Sequence, residues 1–198
     1  MTRFLKAAEI GTGGAMTLPG RYYTDPDLFR QETERIFLRE WICAGREERI
    51  PEPGDYFVRN LGTESVLVVR DTAGEIRAFH NVCRHRGARL CTEEGGRFSR
   101  HIRCPYHAWA YALDGCLVGA ASMKDAPGFD LADYPLLPVS VARWEGFLFL
   151  SLSDSPEPFE QTHAPLIGRF ARYRMPTLQM ARRIVYDLID DTRFCFGE

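Results

Sequence analysis

Two short Cys/His pairs, Cys83-Arg84-His85 and Cys104-Pro105-Tyr106-His107, lie 18 residues apart and restrict this chain more than any other feature. Four metal-donor side chains arranged this way work together only if two loops are brought to the same end of one scaffold. Each loop then offers one thiolate and one imidazole, close in sequence but able to reach different metals. A structural zinc site is the alternative, because tetrahedral Cys/His sets also suit zinc. Zinc loops usually bring Cys pairs two to four residues apart, and a Cys-x-His pair leaves little room for both side chains to reach one small ion.

The flanking residues narrow the choice. The runs His80-Asn81-Val82-Cys83-Arg84-His85-Arg86-Gly87 and Cys104-Pro105-Tyr106-His107-Ala108-Trp109-Ala110-Tyr111 closely resemble the two ligand loops of Rieske-type ring-hydroxylating oxygenase α subunits. In a Rieske [2Fe-2S] centre two cysteines hold one iron and two histidines the other. The resemblance therefore implies that Cys83 and Cys104 hold the buried ferric iron. His85 and His107 would hold the outer iron that changes valence, and their ring edges would be the exit for the electron. Two neutral imidazoles in place of two thiolates leave the oxidised cluster unit near zero charge, which makes adding an electron easier than in all-cysteine clusters.

Respiratory-complex Rieske proteins carry a second cysteine in each loop, and Ala88 and Tyr106 stand at those places here. Trp109 occupies the position at which those proteins set a serine hydroxyl against the cluster. Fewer hydrogen bonds to the cluster sulfurs imply a potential at the low end of the Rieske range, on the order of −150 mV. Pro105, Tyr106 and Trp109 are expected to shield the cluster from water. Cys91 lies near the first loop without a counterpart in the second and reads as a free thiol.

Composition bounds the rest. The 198 residues are 45% hydrophobic and 26% charged, enough for one domain with a real core plus appended segments. A net charge of −2 gives no bias toward nucleic acid, and no apolar run has the length of a membrane span. The opening residues lack the apolar stretch of a secretory signal, and six cysteines show no dense disulfide framework. The expectation is a soluble, cytoplasmic protein.

Along the chain, Asp25-Pro26 followed by Leu28, Phe29, Ile36, Phe37 and Trp41 predicts a helix over 26–39. Short β-like runs follow at 41–45, 55–58, 65–70 and 75–79, with turns at Pro53-Gly54 and at Asp71 to Gly74. A strand at 101–103 leads into the second loop, Asp114-Gly115 turns the next hairpin, and Glu145-Gly146 joins strands at 139–144 and 147–152. The stretch 164–174 reads as a helix, and 182–189 alternates Ile184, Tyr186 and Leu188 as a strand would. The expected fold is mainly β: an antiparallel Rieske domain at 41–160, a flexible start at 1–20, a helical segment at 21–40 and a helix/strand extension at 161–198.

The resemblance covers 17–188, and its extension corresponds to the opening of the family's catalytic domain. There the oxygen-activating iron is held by two histidines and a carboxylate. Only five histidines occur here. His85 and His107 belong to the cluster, and His80, His101 and His163 read as structural. Asp190 and Asp191 read as solvated. By resemblance the chain transfers single electrons from a ferredoxin or flavoprotein reductase to a mononuclear iron in a catalytic domain or partner, for NAD(P)H-driven oxygenation of an aromatic or quaternary-ammonium substrate. The alternative is an independent Rieske electron carrier serving an unrelated enzyme. Arg84, Arg86, Arg89, Arg97, Arg100 and Arg103 have two readings: surface residues pairing with Glu93 and Glu94, or a basic collar that attracts an acidic electron donor.

Overall fold

The computed structural model describes residues 19–123 and 126–184. Two short helices, α1 (Arg21–Thr24) and α2 (Pro26–Glu32), precede ten strands. The Asp25 carboxylate caps α2 by accepting from the Asp27 N–H at 2.9 Å, with Pro26 in the first turn. The expected single helix to residue 39 instead widens into a π-turn at Thr33–Phe37. There the Thr33 hydroxyl donates back to the Phe29 carbonyl at 2.9 Å, a local bond that competes with the regular helical ladder.

The strands form three antiparallel sheets. β1 (Ile42–Arg46), β9 (Ser140–Trp144) and β10 (Phe147–Ser151) make the first, in the order β1-β10-β9. The second is β4-β3-β2-β5, built from β2 (Asp55–Leu61), β3 (Glu64–Arg70), β4 (Ile76–His80) and β5 (Gly95–Arg97). The third, β6-β7-β8, comprises His101–Arg103, Ala110–Ala112 and Leu117–Gly119.

The middle sheet is shared by two cores. Side chains alternate faces along a strand, so β3 sends Val66 and Val68 into one core and Leu67 and Val69 into the other; all four are fully buried. The core containing Val66 and Val68 packs against Leu148 and Leu150 of the first sheet. The core containing Leu67 and Val69 packs against Ile102, Tyr111 and Leu117 of the third sheet and encloses Cys83 and Cys104. At roughly 1.5–3 kcal/mol for each fully buried aliphatic side chain, this second interface fixes the position of the small third sheet.

The region 164–174 is not the expected helix. α3 (Phe159–Thr162) ends at His163, and a single turn of 3-10 helix follows at Ala171–Tyr173. Pro165 lacks the N–H a helix interior needs, Gly168 has φ +79°, and Arg174 is left-handed, so the helical ladder cannot run through. Packing holds the segment instead: Phe159 meets Trp41, Trp144 and Phe149 at 4.7–6.1 Å, and Phe170 meets Trp144 at 5.5 Å. Beyond it, Arg46 donates to the carbonyls of Met175 and Leu178. Residues 182–184 form no strand, and the rest of the expected strand, with Asp190 and Asp191, lies outside the described residues, as does the start at 1–18. Among the described residues, no helix is long and apolar enough to cross a membrane.

Candidate metal centre

The two ligand loops share one backbone design. The Cys83 N–H donates to the Ala88 carbonyl at 2.8 Å, and the Gly87 N–H returns to the Cys83 carbonyl at 3.0 Å. In the second loop the Cys104 N–H donates to the Trp109 carbonyl at 2.8 Å, and the Ala108 N–H returns to the Cys104 carbonyl at 3.1 Å. Each loop is therefore closed five residues after its cysteine, and each has a left-handed residue one position earlier, Gly87 at φ 68° and Ala108 at φ 58°. The first loop leaves β4 and the second leaves β6, so the sheets hold their open ends together.

The donors come together as two pairs. The Cys83 and Cys104 thiols, each 2% exposed, interact with one another and form no disulfide. Burial, and then the neighbouring thiol, push the Cys83 thiol up, while the Tyr111 hydroxyl and the His85 N–H oppose this. The His85 and His107 rings lie 4.7 Å apart, nearly edge to face. Burial lowers the pKa of His85, helped by His107 and Arg86, so the ring is held in the neutral form that binds metal. Among the described residues, no three His, Cys, Asp or Glu side chains are placed to share a single ion.

Among the described residues, three buried side-chain nitrogens lack a hydrogen-bond partner: His85 Nδ1, His107 Nδ1 and Trp109 Nε1. Orphaned buried imidazole nitrogens are costly unless something unseen satisfies them. Two such nitrogens beside two buried thiols that have no cationic partner make a donor set suited to a cluster with sulfur ligands on one iron and imidazole on the other. Metal binding would then displace the thiol protons and remove both penalties.

Surrounding side chains fix the donors. Trp109, 1% exposed, stacks on His85 at 4.8 Å and 11°. Tyr106 lies against His107 at 3.7 Å but is 61% exposed, so it covers one ring face and presents its other side to solvent. Pro105 is exposed as well. Asn81 anchors the first loop: its carbonyl accepts from the Cys91 N–H at 2.9 Å, and its amide donates to the Cys91 carbonyl at 2.7 Å and to Ser65 Oγ at 3.1 Å. Cys91 itself is a free buried thiol with a pKa pushed up to about 11 by burial.

Two supporting residues, Asn81 and Tyr111, were present in the quoted motifs without an assigned role. Their partners lie 10 and 28 positions away along the chain, so only the fold reveals them. Of the remaining histidines, His80 sits 3.8 Å from Glu64, His163 stacks on Phe159 at 4.1 Å, and His101 is exposed on β6. All six arginines near the loops are exposed. Among the described residues Arg97 alone of these forms an ion pair, with Asp55 at 2.5 Å, whereas Glu94 pairs with Arg183.

Comparison with known proteins agrees with this geometry. The model of the Rieske [2Fe-2S] domain matches residues 40–135. The chain is 42% identical over 168 residues to the glycine betaine monooxygenase oxygenase subunit of Chromohalobacter salexigens, covering 85% of this chain and 37% of that one. It is also 42% identical over 152 residues to the biphenyl 2,3-dioxygenase subunit alpha of Rhodococcus jostii, covering 76% and 33%. Among solved structures, the apo form of the quaternary ammonium Rieske monooxygenase CntA superposes with a TM-score of 0.80 at 31% identity, over 86% of this chain and 50% of that one. The chain thus spans about a third of the length of these two curated relatives. Residues 40–135 are a Rieske [2Fe-2S] domain, and the chain is similar to the N-terminal part of Rieske oxygenase alpha subunits.

Proposed function

We propose that Cys83, His85, Cys104 and His107 hold a Rieske [2Fe-2S] cluster and that this chain serves as the electron-transfer part of an oxygenase alpha subunit. The observation that carries the reading is the pair of buried, unpartnered Nδ1 atoms on His85 and His107 beside the two buried thiols. When bound, the cluster supplies reversible one-electron chemistry. The chain's own residues then do the rest. Trp109 and the sheet core exclude water from the sulfur side, the stacked Trp109 and Tyr106 rings set the imidazole planes, and Tyr111 hydrogen-bonds Cys83.

The exposed Arg84, Arg86, Arg100 and Arg103 would draw an acidic ferredoxin or flavoprotein reductase to the histidine side, acting on encounter rate more than affinity. The acceptor would be a mononuclear iron in a catalytic domain that 161–198 begins, with an aromatic or quaternary-ammonium substrate. The cytoplasm is the proposed compartment. An integral catalytic domain is favoured over an independent carrier by the exposed Leu178, Met180 and Ile184 on the segment held by Arg46, an apolar strip suited to further packing.

Iron, zinc and acid-labile sulfide measured on anaerobically purified protein test the assignment. Two irons and two sulfides per chain, falling together in Cys104→Ser and His107→Asn, are expected. Zinc without sulfide would overturn it.

A further inference from the structure

Beside the first ligand loop, a pocket of about 200 Å³ opens between the turn after β1, strand β2 and the segment 89–94. Its walls carry four guanidiniums, Arg49, Arg59, Arg89 and Arg183, against two carboxylates, Glu93 and Glu94. Glu94 is already engaged by Arg183 at 3.3 Å. Arg59 donates to the Ala44 carbonyl through Nε and Nη2, which leaves the rest of its fork open. Arg49 and Arg89 make no ion pair or side-chain hydrogen bond among the described residues, and Arg49 rests on the Phe57 ring at 4.4 Å.

The two inner guanidiniums converge over a glycine. A Cβ on Gly45 would stand 3.4 Å from Arg59 Nη2 and 3.5 Å from Arg49 Nη1, so both guanidiniums reach the same glycine. Among the described residues no carboxylate forms an ion pair with either. Burial lowers the pKa of Arg49 and of Arg59; repulsion from Arg183 adds to it at both and repulsion from Arg59 adds to it at Arg49, while Glu94 opposes the shift at both. Two planar forks converging on open space match the way carboxylates and phosphates are held. The volume is below the roughly 300–1,000 Å³ of a drug-sized ligand site, which limits the occupant to a single small anionic group.

We propose that this pocket binds an oxyanion, a carboxylate or a phosphate, between Arg49 and Arg59, with Arg89 and Arg183 adding to the attracting field. The group has two sources: a free ion, or the carboxylates of Asp187, Asp190 and Asp191 on the chain that continues past Arg183.

Titration calorimetry of the full 198-residue chain with inorganic phosphate, against potassium chloride at matched ionic strength, tests this. It is run on the wild type, Arg49→Gln, a triple Asp187→Asn/Asp190→Asn/Asp191→Asn variant, and that variant with Arg49→Gln added. Arg49 is the chosen site because, unlike Arg59, it holds no backbone carbonyl; unchanged circular dichroism and iron content confirm that its variants fold. A free ion as occupant gives saturable phosphate binding in the wild type, weakened about tenfold or more by Arg49→Gln. A carboxylate from the chain itself gives no phosphate binding in the wild type, binding in the triple variant, and loss of that binding when Arg49→Gln is added. Absence of saturable binding in both the wild type and the triple variant, or binding that Arg49→Gln leaves unweakened, overturns the proposal.

Discussion

The Tyr111 hydroxyl lies 3.3 Å from Cys83 Sγ and at the same time accepts the Arg84 N–H at 3.1 Å. With one lone pair occupied by that backbone donor, the phenolic proton is free to point at the sulfur, and a metal-bound thiolate can only accept it. Such a bond favours the more negative, reduced state. Tyr111→Phe should therefore lower the cluster potential. A net hydrogen bond of about 1–1.5 kcal/mol corresponds to roughly 40–60 mV for one electron. Protein-film voltammetry reads the shift, and an unchanged potential would show that the contact does not act on the cluster.

The twin loops allow a paired test of backbone strain. Gly87 and Ala108 occupy equivalent left-handed positions, but only the glycine tolerates that conformation freely. Ala108→Gly should stabilise the protein by roughly 0.5–1 kcal/mol, and Gly87→Ala should cost about the same. Opposite signs in chemical denaturation at full cluster loading are the expected result. Equal signs would mean that contacts, not φ, decide.

Acid stability should depend on Asp71, which is 3% exposed. Burial alone would raise its pKa, but Arg77 and the N–H groups of Glu75 and Ala73 outweigh it and hold the carboxyl below the usual aspartate range. A lowered folded-state pKa gives stability that is complete above the unfolded value of about 3.9 and is lost as pH falls through the folded value. Asp71→Asn should cost about 1–3 kcal/mol at pH 7. The gap from wild type should narrow as pH drops below about 4. Urea melts at several pH values give both numbers.

Gly115 has φ +93°, and a Cβ there would come within 2.5 Å of the Phe79 ring. Its carbonyl also accepts the Leu136 N–H at 2.8 Å. Gly115→Ala combines strain with a clash in the core around the ligand loops, and a loss of about 2–4 kcal/mol is expected. Cluster retention on heating, followed by visible absorbance, should fall with it.

Charge reversal at the collar gives a kinetic test. Arg86→Glu should slow reduction by an acidic donor severalfold and flatten its salt dependence, without moving the potential by more than a few tens of mV. Unchanged stopped-flow rates would remove the collar from the reading.

The sequence revealed what side-chain pattern controls. The apolar run at 65–70 became β3, the Asp25-Pro26 cap opened α2, and Glu145-Gly146, at φ 51° and 80°, turns the hairpin between β9 and β10. Strand β5 escaped because Gly95 and Gly96 carry no pattern. It is defined by backbone pairing with β2, so close that a Cβ on Gly95 would lie 2.9 Å from the Tyr56 carbonyl oxygen. The helix expected at 164–174 is interrupted by Pro165, Gly168 and Arg174, and aromatic contacts with distant residues hold the segment instead. At the candidate site, the proposed metal donors stood out by residue type and spacing. Tyr111 and Asn81 did not, because hydrogen bonds to partners ten or more positions away leave no local mark.

One strand, β3, is a wall common to both cores. Separating the cap that carries the two Cys/His loops from the sheet behind it would expose Val66 and Val68 on one side or Leu67 and Val69 on the other, and neither half could keep its interior dry. The cap therefore cannot be grafted onto another protein as a detachable cassette. Amide exchange along Val66 to Val69 should be among the slowest in the molecule, and it should quicken throughout both halves together when the metal is stripped.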